Sequence, residues 1–329
     1  MFIAGDIGGT KTLLGLYEKT GTAWTCRHEA SYPSGAYPDF LSMLHCFMQD
    51  RAVVPEVLCL GVAGPVIEGR SEVTNLSWHL DEQELSRATG IPRVRLLNDL
   101  QAMSLGLLRL PADRFVDLNP AAIPRNGNRA VLAAGTGLGE SILYWDGESH
   151  HALASEGGHT DFAPNDDLED RLLQYLRHRF GGHVSYERIL SGTGLINLYE
   201  FLRDSGWASE SSLMAQRLSD SDDRARDISQ AGLEGHDELS KKALALFVKL
   251  YGAEAGNLAL KCFATGGVMI GGGIAPKILP ALVSGGFMAS FLAKGRFAGF
   301  MQTIPVRVAL DSNTGLLGAV AWAERDLDP

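Results

Sequence analysis

GDIGGTKTLLGLY (residues 5–17) follows an apolar start of Phe2, Ile3 and Ala4 with one carboxylate, two glycines and a Thr-Lys-Thr, then returns to apolar residues at Leu14 and Leu16. Apolar residues on both sides of a glycine pair predict two strands joined by a tight turn. Asp6 is the odd residue. It either caps the turn of a plain hairpin, or stands beside an anion held by the turn, with a cation between the two charges. Glycines let the main chain come close to a ligand and aim successive N–H groups at it. Thr10 adds a hydroxyl donor. Mg²⁺ suits the second reading because it binds through carboxylate, water and phosphate oxygens.

The same pattern returns in AVLAAGTGLGESILYW (130–145): strand, glycine turn, strand, with Thr136 in the turn. The two hairpins suggest related halves, with chance similarity of two glycine turns as the other reading. GGVMIGGGIAPKILPAL (266–282) reads as a strand, the Gly271–Gly273 turn, then a helix with Pro276 near its start. That turn is either a tight connection or a surface for a flat adenosine ring. Neither a Walker A loop nor a G-x-G-x-x-G after the first strand occurs, so these grips are not of those types.

Elsewhere, short apolar runs alternate with amphipathic ones. VLCLGVAGPV (57–66) and VRLLND (94–99) read as strands, and Leu100, Met103, Leu107 and Leu110 lie on one helical face. Residues 166–182 and 236–260 read as helices, and 315–326 as a C-terminal helix. The polar stretch 209–232 reads as a solvated helix and loop. Strands interleaved with helices make an α/β chain.

The chain has 329 residues, enough for about two domains. Its formal net charge of −10 disfavours nucleic acid and anionic membranes as partners. Four scattered cysteines lack metal-ligand spacing and suggest reduced thiols. With no basic leader and no long apolar span, the expected location is the cytoplasm.

Asn98 and Asp99 end a strand and open a helix, where capping is the ordinary role. The sharper reading gives Asp99 the proton of a substrate hydroxyl during phosphoryl transfer, a reaction driven by alignment and charge neutralisation. In ASEGGHTDF (154–162), Glu156 and His159 flank two glycines. They read as a hydroxyl-binding loop or as an internally satisfied pair. Glu187, beside Ser-Gly-Thr-Gly, is either a further hydroxyl ligand or a surface glutamate.

GDIGGT, LLNDLQA, AAGTGLGES, EGGHTDFAP, HVSYERILSGTGLINLY, GGVMIGGGIAPKIL, KGRF and PVRVALDSNTGLLGA occur in this order. Together they strongly resemble the bacterial glucokinase family, ATP-dependent kinases of glucose with the two-domain actin-like ATPase (ribonuclease H-like) fold. The resemblance implies duplicated βαβ halves and an interdomain cleft. It implies a small domain over residues 1–110, completed by a C-terminal helix at about 311–329, and a large domain over 111–310. Gly5, Asp6, Ile7, Gly8, Gly9 and Thr10 would form the first phosphate hairpin, with Asp6 near Mg²⁺ through water. Gly135–Gly139 would form the second, Thr136 facing phosphate and Gly137 the sugar, while Gly272 and Gly273 would lie at the adenosine. Asp99 would be the general base, and Asn98, Glu156, His159 and Glu187 the glucose ligands. Glucose, ATP and a homodimer partner are the implied associates. Related kinase–repressor proteins carry a cysteine-rich zinc loop that is missing here, and the first strand at Phe2 argues against a DNA-binding segment ahead of it.

Overall fold

The computed structural model describes residues 1–49, 54–311 and 313–328. The expected 311–329 segment therefore includes two residues, Ser312 and Pro329, outside the described set. The chain divides into two compact units. The first comprises Met1–Ala112, His151–Ala154 and the chain from Asn313; the second comprises Asp113–His150 and the chain from Ser155 through residue 311.

In the first unit, strands β1 (Phe2–Ile7), β2 (Lys11–Thr20), β3 (Ala23–Pro33) and β4 (Val57–Val62) are followed by a small hairpin, β5 (Arg70–Glu72) with β6 (His79–Asp81), and by β7 (Arg93–Asn98). The sheet order is β3-β2-β1-β4-β7. β1 pairs antiparallel with β2 and parallel with β4, which pairs parallel with β7. Successive side chains of a strand point to opposite faces. Ile3 and Ile7 therefore pack with Phe40, Met43 and Phe47 of α1 (Phe40–Met48) and with Leu85 of α2 (Glu82–Thr89). Phe2 and Ala4 face the other way, toward Ala102 of α3 (Asp99–Leu107) and Leu316, Ala319 and Ala323 of the C-terminal helix. Asp6 shares that second face.

The expected α3 face of Leu100, Met103, Leu107 and Leu110 is corrected in part: the helix ends at Leu107, before Leu110, and Leu107 is buried together with Ala102, Ser104 and Gly106 rather than with Leu100 and Met103. Small residues win because α3 lies backbone to backbone on the C-terminal helix. A Cβ on Gly106 would overlap the Thr314 carbonyl oxygen, and one on Gly318 would overlap that of Ala102.

The second unit contains β8 (Phe115–Asp117), β9 (Arg129–Ala134), β10 (Leu138–Trp145), β12 (Gly267–Gly271) and β13 (Val306–Ala309), with β11 (His150–Leu153) straddling the sequence boundary of the units. Strands run side by side as β10-β9-β12-β13-β8. β9 pairs antiparallel with β10 and parallel with β12, which pairs parallel with β13. Helices α4 (Asp167–Phe180), α5 (Gly192–Asp204), α6 (Ser212–Ser219), α7 (Arg224–Glu234) and α8 (Glu238–Lys261) follow, then α9 (Leu279–Val283), α10 (Gly286–Leu292) and α11 (Ala298–Gln302); the C-terminal helix is α12 (Thr314–Leu327). The polar stretch 209–232 folds as α6 and most of α7, anchored by Met214, Leu218, Ile228 and Ala231. The helix expected around Pro276 begins only at Leu279, because residues 272–278 form turns. α8 has the length and apolarity of a membrane-crossing helix, yet 78% of its apolar window is buried in this unit's core.

Candidate functional site

At the C-terminal ends of β1, β4 and β7, three loops of the first unit meet. The Gly8 amide donates to the Lys11 carbonyl at 3.0 Å, closing the expected turn. The Ala63 amide donates to Ile7, and the Thr74 amide to Ala63, which brings 63–64 and 74–75 beside the glycine hairpin. Gly9 belongs here because a Cβ would meet the Thr74 carbonyl oxygen at 3.0 Å. Gly5 is needed for a different reason: its face is filled by Leu60 and Leu14.

Asp6 does not cap the turn. It sits in the ladder opposite Leu13 and Gly61, and its carboxyl lies against the first turn of α12, where a Cβ on Gly315 would be 2.7 Å from the carboxyl carbon. Burial raises its pKa, and Lys11 partly opposes the rise. The partial positive charge of the α12 N-terminus favours the same carboxylate. Sequence reading missed Gly315; the Gly315-x-x-Gly318 spacing is its trace.

Asn98 caps α3. Its Oδ1 accepts from the Leu100 amide at 2.9 Å, its Nδ2 donates to the Gly64 carbonyl at 3.1 Å, and its own amide donates to Gln101 Oε1 at 3.2 Å. The ordinary capping role is thus real for Asn98, which is buried at 5% exposure. Asp99 is the first helical residue, half-buried, with Oδ1 accepting from the Leu100 amide.

The second unit gathers its groups at the end of β9. Gly135 donates to the Gly137 carbonyl at 2.8 Å, and Gly192 donates to Gly135 at 2.9 Å, forming the second glycine turn with Thr136 inside it. Glu187 Oε2 accepts from the Leu138 amide at 3.1 Å and occupies the space a Cβ on Gly137 would need. A short 3-10 turn, Gly157–His159, presents exposed Glu156 and His159. Gly158 is buried, and a Cβ there would overlap the Leu138 carbonyl oxygen. The Tyr186 amide donates to the Thr160 carbonyl at 3.1 Å, tying that turn to the Glu187 segment. Gly272, at φ 80°, leaves only 2.5 Å between a Cβ and the Ala134 carbonyl oxygen, so the third glycine turn abuts the second, with Gly273 next to it in open space. Within this unit the structure therefore brings together Thr136, Gly137, Glu156, His159, Glu187 and Gly272. In the other it brings together Asp6, Gly8, Gly9 and Thr10.

Asp6 supplies one carboxylate at the end of β1, beside the glycine hairpin. Among the described residues no cluster of three or more His, Cys, Asp or Glu could hold a metal alone. That donor set fits Mg²⁺, which keeps waters and binds through one or two carboxylates plus phosphate.

A family model described as Glucokinase matches residues 3–326. Over 98% of this chain and 97% of the relative, it is 42% identical to a glucokinase of Synechocystis sp.. It is 40% identical to a glucokinase of Nostoc sp. over 99% of each. The crystal structure of a glucokinase from an Antarctic psychrotroph superposes with a TM-score of 0.84 at 29% identity, covering 98% of each chain. With both glycine hairpins, the strand-end aspartate and the paired acidic loops present along matched length, this chain belongs to the glucokinase family.

Proposed function

We infer that this chain is an ATP-dependent glucokinase, carrying the γ-phosphoryl group of ATP to the 6-hydroxyl of glucose, with Asp99 as general base. Asp99 takes the hydroxyl proton as that oxygen bonds to the γ-phosphorus and the bond to the β-γ bridging oxygen breaks, leaving ADP. Asn98 fixes the start of α3, thereby aims the Asp99 carboxylate, and serves as a further glucose ligand. Glu156, His159 and Glu187 accept and donate hydrogen bonds to the ring hydroxyls, with the Gly137 main chain alongside. The hairpins at Gly5–Thr10 and around Thr136 supply N–H and hydroxyl donors to the phosphates, while Gly272 and Gly273 leave room for adenosine. Asp6 would hold Mg²⁺ through water, and the cation would neutralise charge on the phosphates.

The observation that carries this reading is the cluster at the end of β9, where a glycine turn, a carboxylate already bonded to that turn and a second acidic turn occupy one place. Fixed acceptors of that kind reject sugars whose hydroxyls leave them unpaired. We also read the two sheets as duplicated halves, on the shared order of an antiparallel hairpin followed by two parallel strands.

The test is sugar-dependent ADP release with glucose, mannose, fructose and N-acetylglucosamine. Glucose is expected to give the highest kcat/KM; a tenfold preference for another hexose overturns the assignment. Glu156→Ala and His159→Ala should each raise the glucose KM by ~10–100-fold, the loss of one or two hydrogen bonds to a polar or charged group, with the ATP KM within about threefold. Unchanged glucose KM in both removes the acidic turn from the sugar site.

Asp6→Asn separates function from stability. A raised carboxyl pKa in the folded protein means that the carboxyl favours folding while protonated, and that this contribution is lost as pH rises above the ordinary aspartate range. At pH 7.5 the amide variant is therefore expected to melt no lower than wild type while turnover falls at least ~100-fold. A marked drop in Tm together with retained turnover contradicts both parts.

A further inference from the structure

Glu140 on β10 and Glu254 on α8 are both buried, at 1% and 0% exposure, and close enough that the charge of one raises the pKa of the other. Two buried carboxyls set close together hold a proton between them more readily than two charges. Glu254 is supplied with donors: Asn257 Nδ2 at 2.8 Å and Lys261 Nζ at 3.4 Å. Among the described residues, Glu140 Oε1 has no hydrogen-bond partner. An ionised carboxylate with a bare buried oxygen is costly. Burial first, and the Glu254 charge second, push the Glu140 carboxyl up to about 8. The groups around the pair are few. α8 contributes Lys261 and the buried Tyr251 phenol, Lys294 Nζ donates to Asn257 Oδ1 at 2.6 Å, and Tyr186 OH accepts from Asn257 Nδ2 at 3.1 Å.

The pair lies directly under the Glu156–His159 turn. Gly157 has no Cβ because one would collide with Glu140 Oε2. The same network reaches, through Asn257, to Tyr186, the neighbour of Glu187. We propose that the buried Glu140–Glu254 pair, packed beneath Gly157 and linked through Asn257 to Tyr186, is the support that positions the Glu156–His159 turn and Glu187 for the sugar. The proposal rests on the sugar-binding reading of that turn. Glu140 touches no substrate and is a positioning residue. Loss of the proton held by the pair sets two carboxylates against each other beneath Gly157 and displaces the turn, so sugar affinity falls while nucleotide affinity does not.

The experiment measures KM for glucose and for ATP by ADP release between pH 6.5 and 9.5, for the full-length wild type, Glu140→Gln, Glu140→Ala and Glu156→Ala. Wild type is expected to hold a steady glucose KM to about pH 8 and then lose affinity by up to ~tenfold per pH unit, with the ATP KM steady. Glu140→Gln keeps a neutral donor of the same shape, so its glucose KM should match wild type at pH 7 and stay flat to pH 9.5. Glu140→Ala should hold the glucose KM ~tenfold above the wild-type value at pH 7, flat across the pH range, as loss of one buried support. A flat wild-type profile overturns the proposal however the variants behave, and so does a Glu140→Gln profile that rises like wild type. If Glu156→Ala leaves the glucose KM untouched, the sugar reading of the turn fails instead, which the pH profile of wild type alone does not decide.

Discussion

Asp99→Asn is expected to lower kcat by ~10²–10⁴-fold, the usual contribution of a positioned general base, with the glucose KM within about threefold of wild type. The asparagine keeps the size of the side chain and can still cap its own helix turn, so α3 stays in place. What it cannot do is take a proton. Asp99 occupies the first position of α3, held there by the Asn98 capping box and by the Asn98 bond to the Gly64 carbonyl. Losses confined to kcat mark an interaction made in the transition state, whereas losses confined to KM mark ordinary binding. ADP release under saturating glucose and ATP measures the first. Turnover within tenfold of wild type removes Asp99 from the chemical step.

The second large effect concerns stability. Gly318→Ala should destabilise the first unit by about 3 kcal/mol, at the upper end of overpacking costs, and lower its Tm on the order of 10 °C. The added methyl would overlap the Ala102 carbonyl oxygen and stand 2.5 Å from its carbon, both backbone atoms of α3 that cannot swing aside. Gly106→Ala meets the Thr314 carbonyl in the same way from the opposite helix. Gly35→Ala is the control, because a Cβ there meets no heavy atom within 4 Å. Thermal melts of the three variants decide the matter; equal Tm values for Gly318→Ala and Gly35→Ala would show that α3 and α12 are not packed as closely as described. Because α3 carries Asp99, a Gly318→Ala enzyme that still folds at low temperature should also lose kcat.

Both glycine hairpins could be read from the chain because a turn is a local event: apolar alternation broken by glycine leaves few other backbones. The position of Asp99 was legible for a related reason, standing where a strand pattern changes to a helical one. Gly315 and Gly318 were not. Nothing near them says that a helix some two hundred residues earlier will lie on them, and only that approach makes a methyl intolerable. Asp6 was recognised as unusual, but its neighbour on α12 is set by strand alternation together with a distant helix. Glu140 illustrates the same limit. In LGESILYW it reads as one polar residue of a half-buried strand, and its burial follows from α8 covering that face. Of the α3 stripe only Leu107 is buried, because helical periodicity marks large apolar residues, while the rest of this interface is made of small ones.

The first unit is built from both ends of the chain. On a ribosome, Phe2, Ala4 and Cys59 emerge well before Leu316, Ala319 and Ala323, which cover them. The intervening segment has its own core and can be finished first, as domains generally are during synthesis. The nascent first sheet thus waits with one greasy side bare while that segment is made, and removing α12 would leave it in that state permanently.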